Sequence, residues 1–273
     1  PQQNKLFYNN FFILKDNIII KMIKIGIIGG SGMDDPNLLQ NYQTKDIVTP
    51  YGHPSSSITE GTINNISVAI LARHGKHHEI PPTKVNFRAN IWALKKIGCT
   101  HIIATTAVGS LKEEIAPGHL VFPDQFIDRT THREKTFFNE NKVCHIPMAE
   151  PFCTQLRSIL FETAQQMGVP AHPRGTVLTV EGPRFSTKAE SHMFRQWGAH
   201  IINMSSVPET NLAREAGLCY ASIAMSTDYD CWRESTEAVT VTEVLKVMKE
   251  NSEKVKRLII NSLPRIQHLD CQC

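Results

Sequence analysis

No stretch of this chain stays apolar for the roughly 20 residues that a membrane-spanning helix needs. The nearest approach is the first 22 residues, PQQNKLFYNNFFILKDNIIIKM, where Asn9, Asn10, Lys15 and Asp16 break the run and no small-residue cleavage site follows. Residues 1–22 are read as a leader, disordered or packed on the surface, and residues 23–273 as the main domain. An excess of either charge is also missing. A net charge of +3, with acids and bases mixed throughout, leaves no basic stripe for nucleic acid, while a small anionic substrate stays compatible. The seven cysteines, at 99, 144, 153, 219, 231, 271 and 273, are odd in number and lack metal-ligand spacing. That excludes a disulfide framework and predicts reduced thiols, no metal centre and a cytosolic chain, with Cys271 and Cys273 as exposed thiols on the tail rather than a redox pair. Repeats and low-complexity linkers are absent, so 273 residues at 41% hydrophobic composition make one large domain with its own core.

From Ile23 onward, apolar β-branched runs alternate with helical patterns, the signature of an α/β fold. Continuous apolar runs, which mark strands covered on both faces, occur at Ile23–Ile28, Ser67–Ala72, His101–Thr105, His119–Ile127, Thr176–Val180, Ile201–Met204 and Tyr220–Ser226. Helices are predicted over Thr83–Lys96 and Phe152–Met167, ended by Gly98 and Gly168, and after capping boxes of Thr187 with Glu190, Ser206 with Glu209, and Thr240 with Glu243. Asp34–Pro54 and Arg129–Pro151 read as long loops.

Chemistry gathers where strands end. Gly29-Gly30-Ser31-Gly32 is either a phosphate cradle or an ordinary tight turn, and it lacks the G-x-G-x-x-G spacing of a dinucleotide site. Arg73-His74-Gly75-Lys76-His77-His78 puts a guanidinium fork and imidazoles at a buried strand end, which suits phosphate oxygens, with a solvated basic loop as the alternative. Three histidines on a Gly-flanked loop, without a nearby acid, make a poor zinc set. Thr105-Thr106-Ala107-Val108-Gly109-Ser110 supplies hydroxyls and room. In open α/β sheets ligands bind beyond the carboxyl ends of strands, so three such ends point to one common site. Glu181-Gly182-Pro183-Arg184-Phe185 places an aromatic that either stacks on a heterocycle or belongs to the core, and Asn203-Met204-Ser205-Ser206 offers a hydroxyl at a helix start. Asp228 and Asp230 close the last apolar strand. They are either a coupled pair of which one is partly protonated near neutrality, fit to donate to a leaving base, or a solvated Asx turn.

From Ile23 to about Ile260, the stretches IGIIGGSG, LARHGKHH, KVNFRANIWALK, TTAVGSL, DQFIDRTT, CHIPMAEPFC, VEGPRFST, NMSSVPE and ASIAMSTDYDCW together closely resemble the trimeric purine nucleoside phosphorylase family, and within it the branch that acts on 5′-methylthioadenosine. The resemblance implies a single domain with a central mixed β-sheet flanked by helices, a phosphate-dependent pentosyl transfer that releases adenine, and a place in purine and methionine salvage. By motif position it assigns Ser31, Arg73, His74, Thr106, Ala107 and Ser205 to phosphate, and Asp228 and Asp230 to the adenine as catalytic groups. Phe185 is set against the base, Met204 against the ribose, and His145, Val241, Val244 and Leu245 around the methylthio group. It also implies a homotrimer whose neighbours complete the sugar side of the pocket. No cofactor, metal or membrane is implied, inorganic phosphate being a co-substrate, and the expected location is the cytoplasm, with the nucleus as second compartment. Three rival activities remain: a phosphorylase for 6-oxopurines, disfavoured because carboxylates suit a 6-amino group; a hydrolase, which would not need the Arg73-His74 anion site; and a catalytically silent purine-binding protein on the same fold.

Overall fold

The computed structural model describes residues 12–15, 18–21, 23–29, 38–138, 142–233, 241–269, 271 and 273, with the segments 12–15, 18–21 and 241–246 described by backbone alone. β1 (Phe12–Lys15) and β2 (Ile18–Lys21) pair antiparallel as a ribbon of their own, apart from the main sheet. β3 (Ile25–Gly29) opens that sheet and is buried at every position, the pattern of a strand covered on both faces. β4 (Gln40–Lys45), β5 (Ile58–Ile63) and β6 (Ile66–Ala72) follow as an antiparallel meander at one edge. β4 lies within the stretch read as the loop Asp34–Pro54. Its sequence, QNYQTK, has no apolar face and is almost wholly exposed, so backbone pairing alone marks it as an edge strand.

A 3-10 turn (Pro82–Lys84) leads into α1 (Phe87–Lys96), where the Asn86 side chain accepts from the Ala89 N–H and caps the helix. β7 (His101–Ser110) runs five residues past the expected Thr105. β8 (Leu120–Val121) and β9 (Gln125–Arg129) replace the single strand expected over His119–Ile127, because Pro123 lacks the N–H that a continuous ladder needs. α2 (Thr154–Gln166), β10 (Ala171–His172) and β11 (Thr176–Val180) come next. α3 (Lys188–Gln196) carries the expected capping box, with Thr187 and Glu190 bonding reciprocally. β12 (Ile201–Asn203), α4 (Ser206–Glu215), β13 (Cys219–Asp228) and α5 (Val241–Ile266) complete the order. The box expected between Thr240 and Glu243 lies outside the described residues.

The sheet is mixed, in the order β10-β8-β13-β7-β3-β6-β5-β4, with β12, β11 and β9 branching from β7. β7 is the pivot. It lies between β13 and β3, both parallel to it, and at Gly109 and Ser110 it pairs antiparallel with β12. Side chains alternate between two cores. Ile25 and Ile27 face the layer of α2 and α5, whereas Ile28 faces the layer of α1 and α4. Each fully buried Leu or Ile in these layers contributes about 1.5–3 kcal/mol relative to exposure.

One expectation fails at the tail. Cys271 is buried rather than exposed, and its sulfur lies with those of Cys153, Cys219 and Cys273 in a group whose members are all within 4.8 Å of one another. Linear spacing concealed this, because the helix cap, the start of β13 and the tail meet only after the long hairpin of α2, β13 and α5 has closed.

Candidate active site

A cavity of about 260 Å³ opens where β6, β7, β11, β12 and β13 end. Arg73 follows β6 directly and is held there by its own N–H, which donates to Gly29 O at 2.9 Å. Its side chain lines the cavity yet is only 2% exposed. Nε and Nη2 each donate to Glu209 at 2.8 Å, and Nη1 donates to Thr105 O at 2.8 Å, which commits three of the five guanidinium N–H groups. The Tyr220 hydroxyl also donates to Glu209, at 2.8 Å. Burial works against the charge of Arg73, but Glu209 and Tyr220 outweigh it and hold the guanidinium above its ordinary value. Glu209 was expected to cap α4 with Ser206, and it does not. Ser205 is the cap position and makes no side-chain cap bond, Ser206 accepts from Asn203 Nδ2 at 2.8 Å, and the fully buried Glu209 needs the counter-charge of Arg73 more than a backbone N–H.

His74 sits beside Arg73 with Nδ1 2.9 Å from Ile80 O, so that Nδ1 carries the proton and Nε2 is left as an acceptor. Burial, then the Arg73 charge, push its pKa down to about 4. Hydroxyls from three further elements converge here: Thr106 Oγ1 lies 2.8 Å from Ser205 Oγ and accepts from Asn203 Nδ2 at 3.2 Å, and Asn203 Oδ1 in turn accepts from Thr179 Oγ1 at 2.9 Å. Ala107 lines the same wall, and Thr105 Oγ1 is buried there without a partner. Ser31 lies outside the described residues.

Asp228 and Asp230 line the cavity as well. A register shift between Ser226 and Asp228 turns the end of β13 inward, and Asp230 takes a positive φ of 43°. Asp228 Oδ1 accepts the Asp230 N–H at 2.8 Å, while Oδ2 accepts from Thr227 Oγ1 at 2.7 Å. Asp230 Oδ2 accepts from Ser191 Oγ at 2.5 Å. The turn is thus of Asx type, but it is not solvated: burial raises the pKa of both acids, and the Asp228 charge adds to the rise at Asp230. Gly109 makes room for the pair, since a Cβ there would lie 3.1 Å from Asp228 Oδ1 and from Ile202.

Phe185 lines the cavity at 52% exposure, so it is no core residue, and Met204 lines it too. Gly182, at φ +72°, backs Met204 so closely that a Cβ would come within 2.5 Å of its sulfur. Met225, Met248 and Ile202 add apolar wall that the motif reading did not single out. It also passed over Arg133, which donates to Val207 O at 2.6 Å and Glu181 O at 2.8 Å and so ties the Phe185 loop to the start of α4. In a loop rich in His, Arg and Asn, nothing local marks Arg133 for that. His145 is exposed and does not line this cavity, a departure from its expected place. Val241, Val244 and Leu245 fall in the first turns of α5, where side chains lie outside the described residues.

The family model described as the Phosphorylase superfamily matches residues 24–264. This chain belongs to the phosphorylase superfamily. Among curated superfamily members, S-methyl-5′-thioadenosine phosphorylase of Danio rerio is 58% identical over 253 residues, covering 91% of this chain and 90% of that one. The protein of the same name from Thermofilum pendens is 52% identical over 255 residues, covering 93% and 97%. Among solved phosphorylases, the methylthioadenosine phosphorylase of Schistosoma mansoni in complex with adenine superposes with a TM-score of 0.87 at 43% identity, covering 91% of this chain and 93% of that one. A variant of the Schistosoma mansoni adenosine/methylthioadenosine phosphorylase in complex with methylthioadenosine superposes with a TM-score of 0.86.

Proposed function

We propose that this chain is an S-methyl-5′-thioadenosine phosphorylase, cleaving 5′-methylthioadenosine with inorganic phosphate to adenine and 5-methylthioribose 1-phosphate. The observation that carries this reading is that one 260 Å³ cavity is lined both by two acids with raised pKa, Asp230 buried and Asp228 half-buried, and by the buried Arg73 with half-buried His74 and a set of hydroxyls. The names of the relatives, and the adenine and methylthioadenosine held by the solved ones, support the same reading.

Phosphate takes the end formed by Arg73, His74, Thr106, Ala107 and Ser205, with Ser31 completing it. Neutral His74 accepts, through Nε2, the one proton that the phosphate dianion carries. The remaining anionic oxygens face the guanidinium and the hydroxyls, which orients an oxygen beneath C1′ and offsets the positive charge growing on the sugar. The glycosidic C–N bond breaks as the new C–O bond forms, and its electron pair goes to the purine. Asp228, whose buried carboxyl keeps its proton more readily than a solvated one, hands that proton to N7. Asp230 accepts from the exocyclic amine. Phe185 covers the base, and Met204, Met225 and Met248 give the thioether an apolar seat. The reaction asks for no cofactor beyond phosphate as second substrate.

The assembly that suits this reading is a homotrimer in the cytoplasm. The exposed His145 and the neighbouring Val143, also exposed, then serve a neighbour's sugar pocket rather than their own, and light scattering giving a monomer or dimer at working concentration would sink the trimer. No helix among the described residues is long and apolar enough to cross a membrane. The test of function is adenine release from methylthioadenosine with and without phosphate, beside adenosine and inosine. Release that requires phosphate and favours methylthioadenosine supports the reading; release without phosphate, or a preference for inosine, overturns it.

A further inference from the structure

We propose that Cys153, Cys219, Cys271 and Cys273 form a tetrathiolate site for a soft divalent metal ion, zinc by its chemistry, remote from the substrate cavity. Four sulfurs meet from three parts of the chain: Cys153 caps α2, Cys219 begins β13, and Cys271 and Cys273 lie beyond α5. All are within 4.8 Å of one another, with Cys153 Sγ 3.5 Å and Cys219 Sγ 2.7 Å from Cys271 Sγ. A tetrahedron built on Zn–S bonds of about 2.3 Å has S···S edges of about 3.8 Å. The cluster brackets that value, and the Cys219–Cys271 edge opens by about 1 Å when the ion enters.

The way the sulfurs are shared separates a metal site from a pair of disulfides. A disulfide uses each sulfur once. Here all four sulfurs lie within 4.8 Å of one another, so each faces the other three, which is the arrangement of a tetrahedron. The surroundings suit thiolate charge. Cys153 Sγ accepts the Leu156 N–H at 3.4 Å at the N-terminus of a 13-residue helix, and His101 Nε2 lies 3.5 Å from Cys271 Sγ. Three of the four cysteines are buried, which keeps competing water away.

Loading is balanced simply: the ion enters, four Zn–S bonds form, and the protons still on the thiols leave to solvent. No electron moves, so no oxidant is needed. The consequence is mechanical. The site ties the tail beyond α5 to the core, and α5 is the same helix that presents Met248 to the substrate cavity.

The test uses the full chain, reduced and stripped by a chelator under anaerobic conditions, then titrated with cobalt(II) alone and, separately, with zinc(II) alone. The expected result is one ion per chain, the strong visible bands of tetrahedral cobalt thiolate, and X-ray absorption of the zinc form showing four sulfur neighbours at about 2.3 Å. Cys271→Ser/Cys273→Ser loses the bands while phosphorolysis of methylthioadenosine, read alongside, reports that the variant is folded. No stoichiometric uptake, fewer than four sulfurs, or bands that survive the double substitution overturns the proposal. So does a purified chain lighter by two hydrogens per cysteine pair that takes up no metal once reduced. The absorption measurement needs no variant, so a misfolded double variant does not rescue the idea.

Discussion

Arg73 and Glu209 meet fork to fork, with 2.8 Å on both arms, at a point where Arg73 is 2% exposed and Glu209 is fully buried. Paired, the two charges tolerate burial; separated, neither does. Glu209→Gln keeps the shape but points an amide N–H₂ at the guanidinium or leaves one arm unmade, so Arg73 becomes an uncompensated buried charge. The expected loss is about 3–5 kcal/mol of folding stability, read from the urea midpoint. In whatever fraction folds, KM for phosphate rises more than KM for methylthioadenosine, because the fork is no longer aimed. Equal rises in both constants would show that Glu209 serves the fold alone.

Asp228→Asn keeps a hydrogen-bonding group near N7 but removes the proton to be transferred. General-acid help of this kind is worth about 10²–10⁴-fold, so kcat for methylthioadenosine is expected to fall by that factor with KM changed little. A substrate whose leaving group needs no protonation recovers most of the rate in the variant. Failure of such a substrate to recover it would assign Asp228 to binding rather than proton transfer.

Sequence made the site more legible than its supports. The strands at β3, β6 and β11 fall within two residues of expectation, since apolar β-branched runs leave little choice when both faces are covered. Arg73, His74, Thr106, Ala107, Ser205, Phe185, Met204, Asp228 and Asp230 all line one cavity, and most sit at or just after a strand end, where direction is set by the strand itself; Thr106 and Ala107 lie within β7, which runs on past them. Glu209 was misread because a Ser three residues ahead of a Glu is a local pattern, while its partner lies 136 residues away. β4 had no apolar face to announce it. The cysteine cluster depended on contacts spanning 118 and 52 residues, which no spacing rule reaches.

His74 carries a pH dependence whose sign follows from its burial. Its pKa in the folded chain is about 4, against 6.5 for an unperturbed imidazole, so the unfolded chain binds more protons between those values. The stability contributed by keeping His74 neutral is fully present above about pH 6.5 and is lost progressively as pH falls to about 4. Phosphate weakens the preference for the neutral ring, because its negative charge favours the imidazolium, and the His74 pKa moves upward when phosphate binds. Proton NMR of the His74 ring, with and without phosphate, checks both points. A His74 resonance titrating near 6.5 in the free chain, or unmoved by phosphate, would remove it from the anion site.

Gly182 and Met204 give the last prediction. Gly182 occupies φ +72°, a left-handed region that an L side chain rarely adopts, and a Cβ would sit 2.5 Å from Met204 Sδ and 3.2 Å from its Cγ. Gly182→Ala therefore acts twice. The backbone strain costs more than about 1 kcal/mol, and Met204, a flexible thioether on the cavity wall, is pushed into the space proposed for the sugar. KM for methylthioadenosine rises while the phosphate-dependent chemistry, once substrate is seated, keeps most of its kcat. Met204→Ala in the same background vacates the clash and recovers KM in part, although Met204→Ala alone weakens binding. If the second substitution instead compounds the loss, the glycine is required by the backbone only and Met204 does not transmit its effect to the sugar.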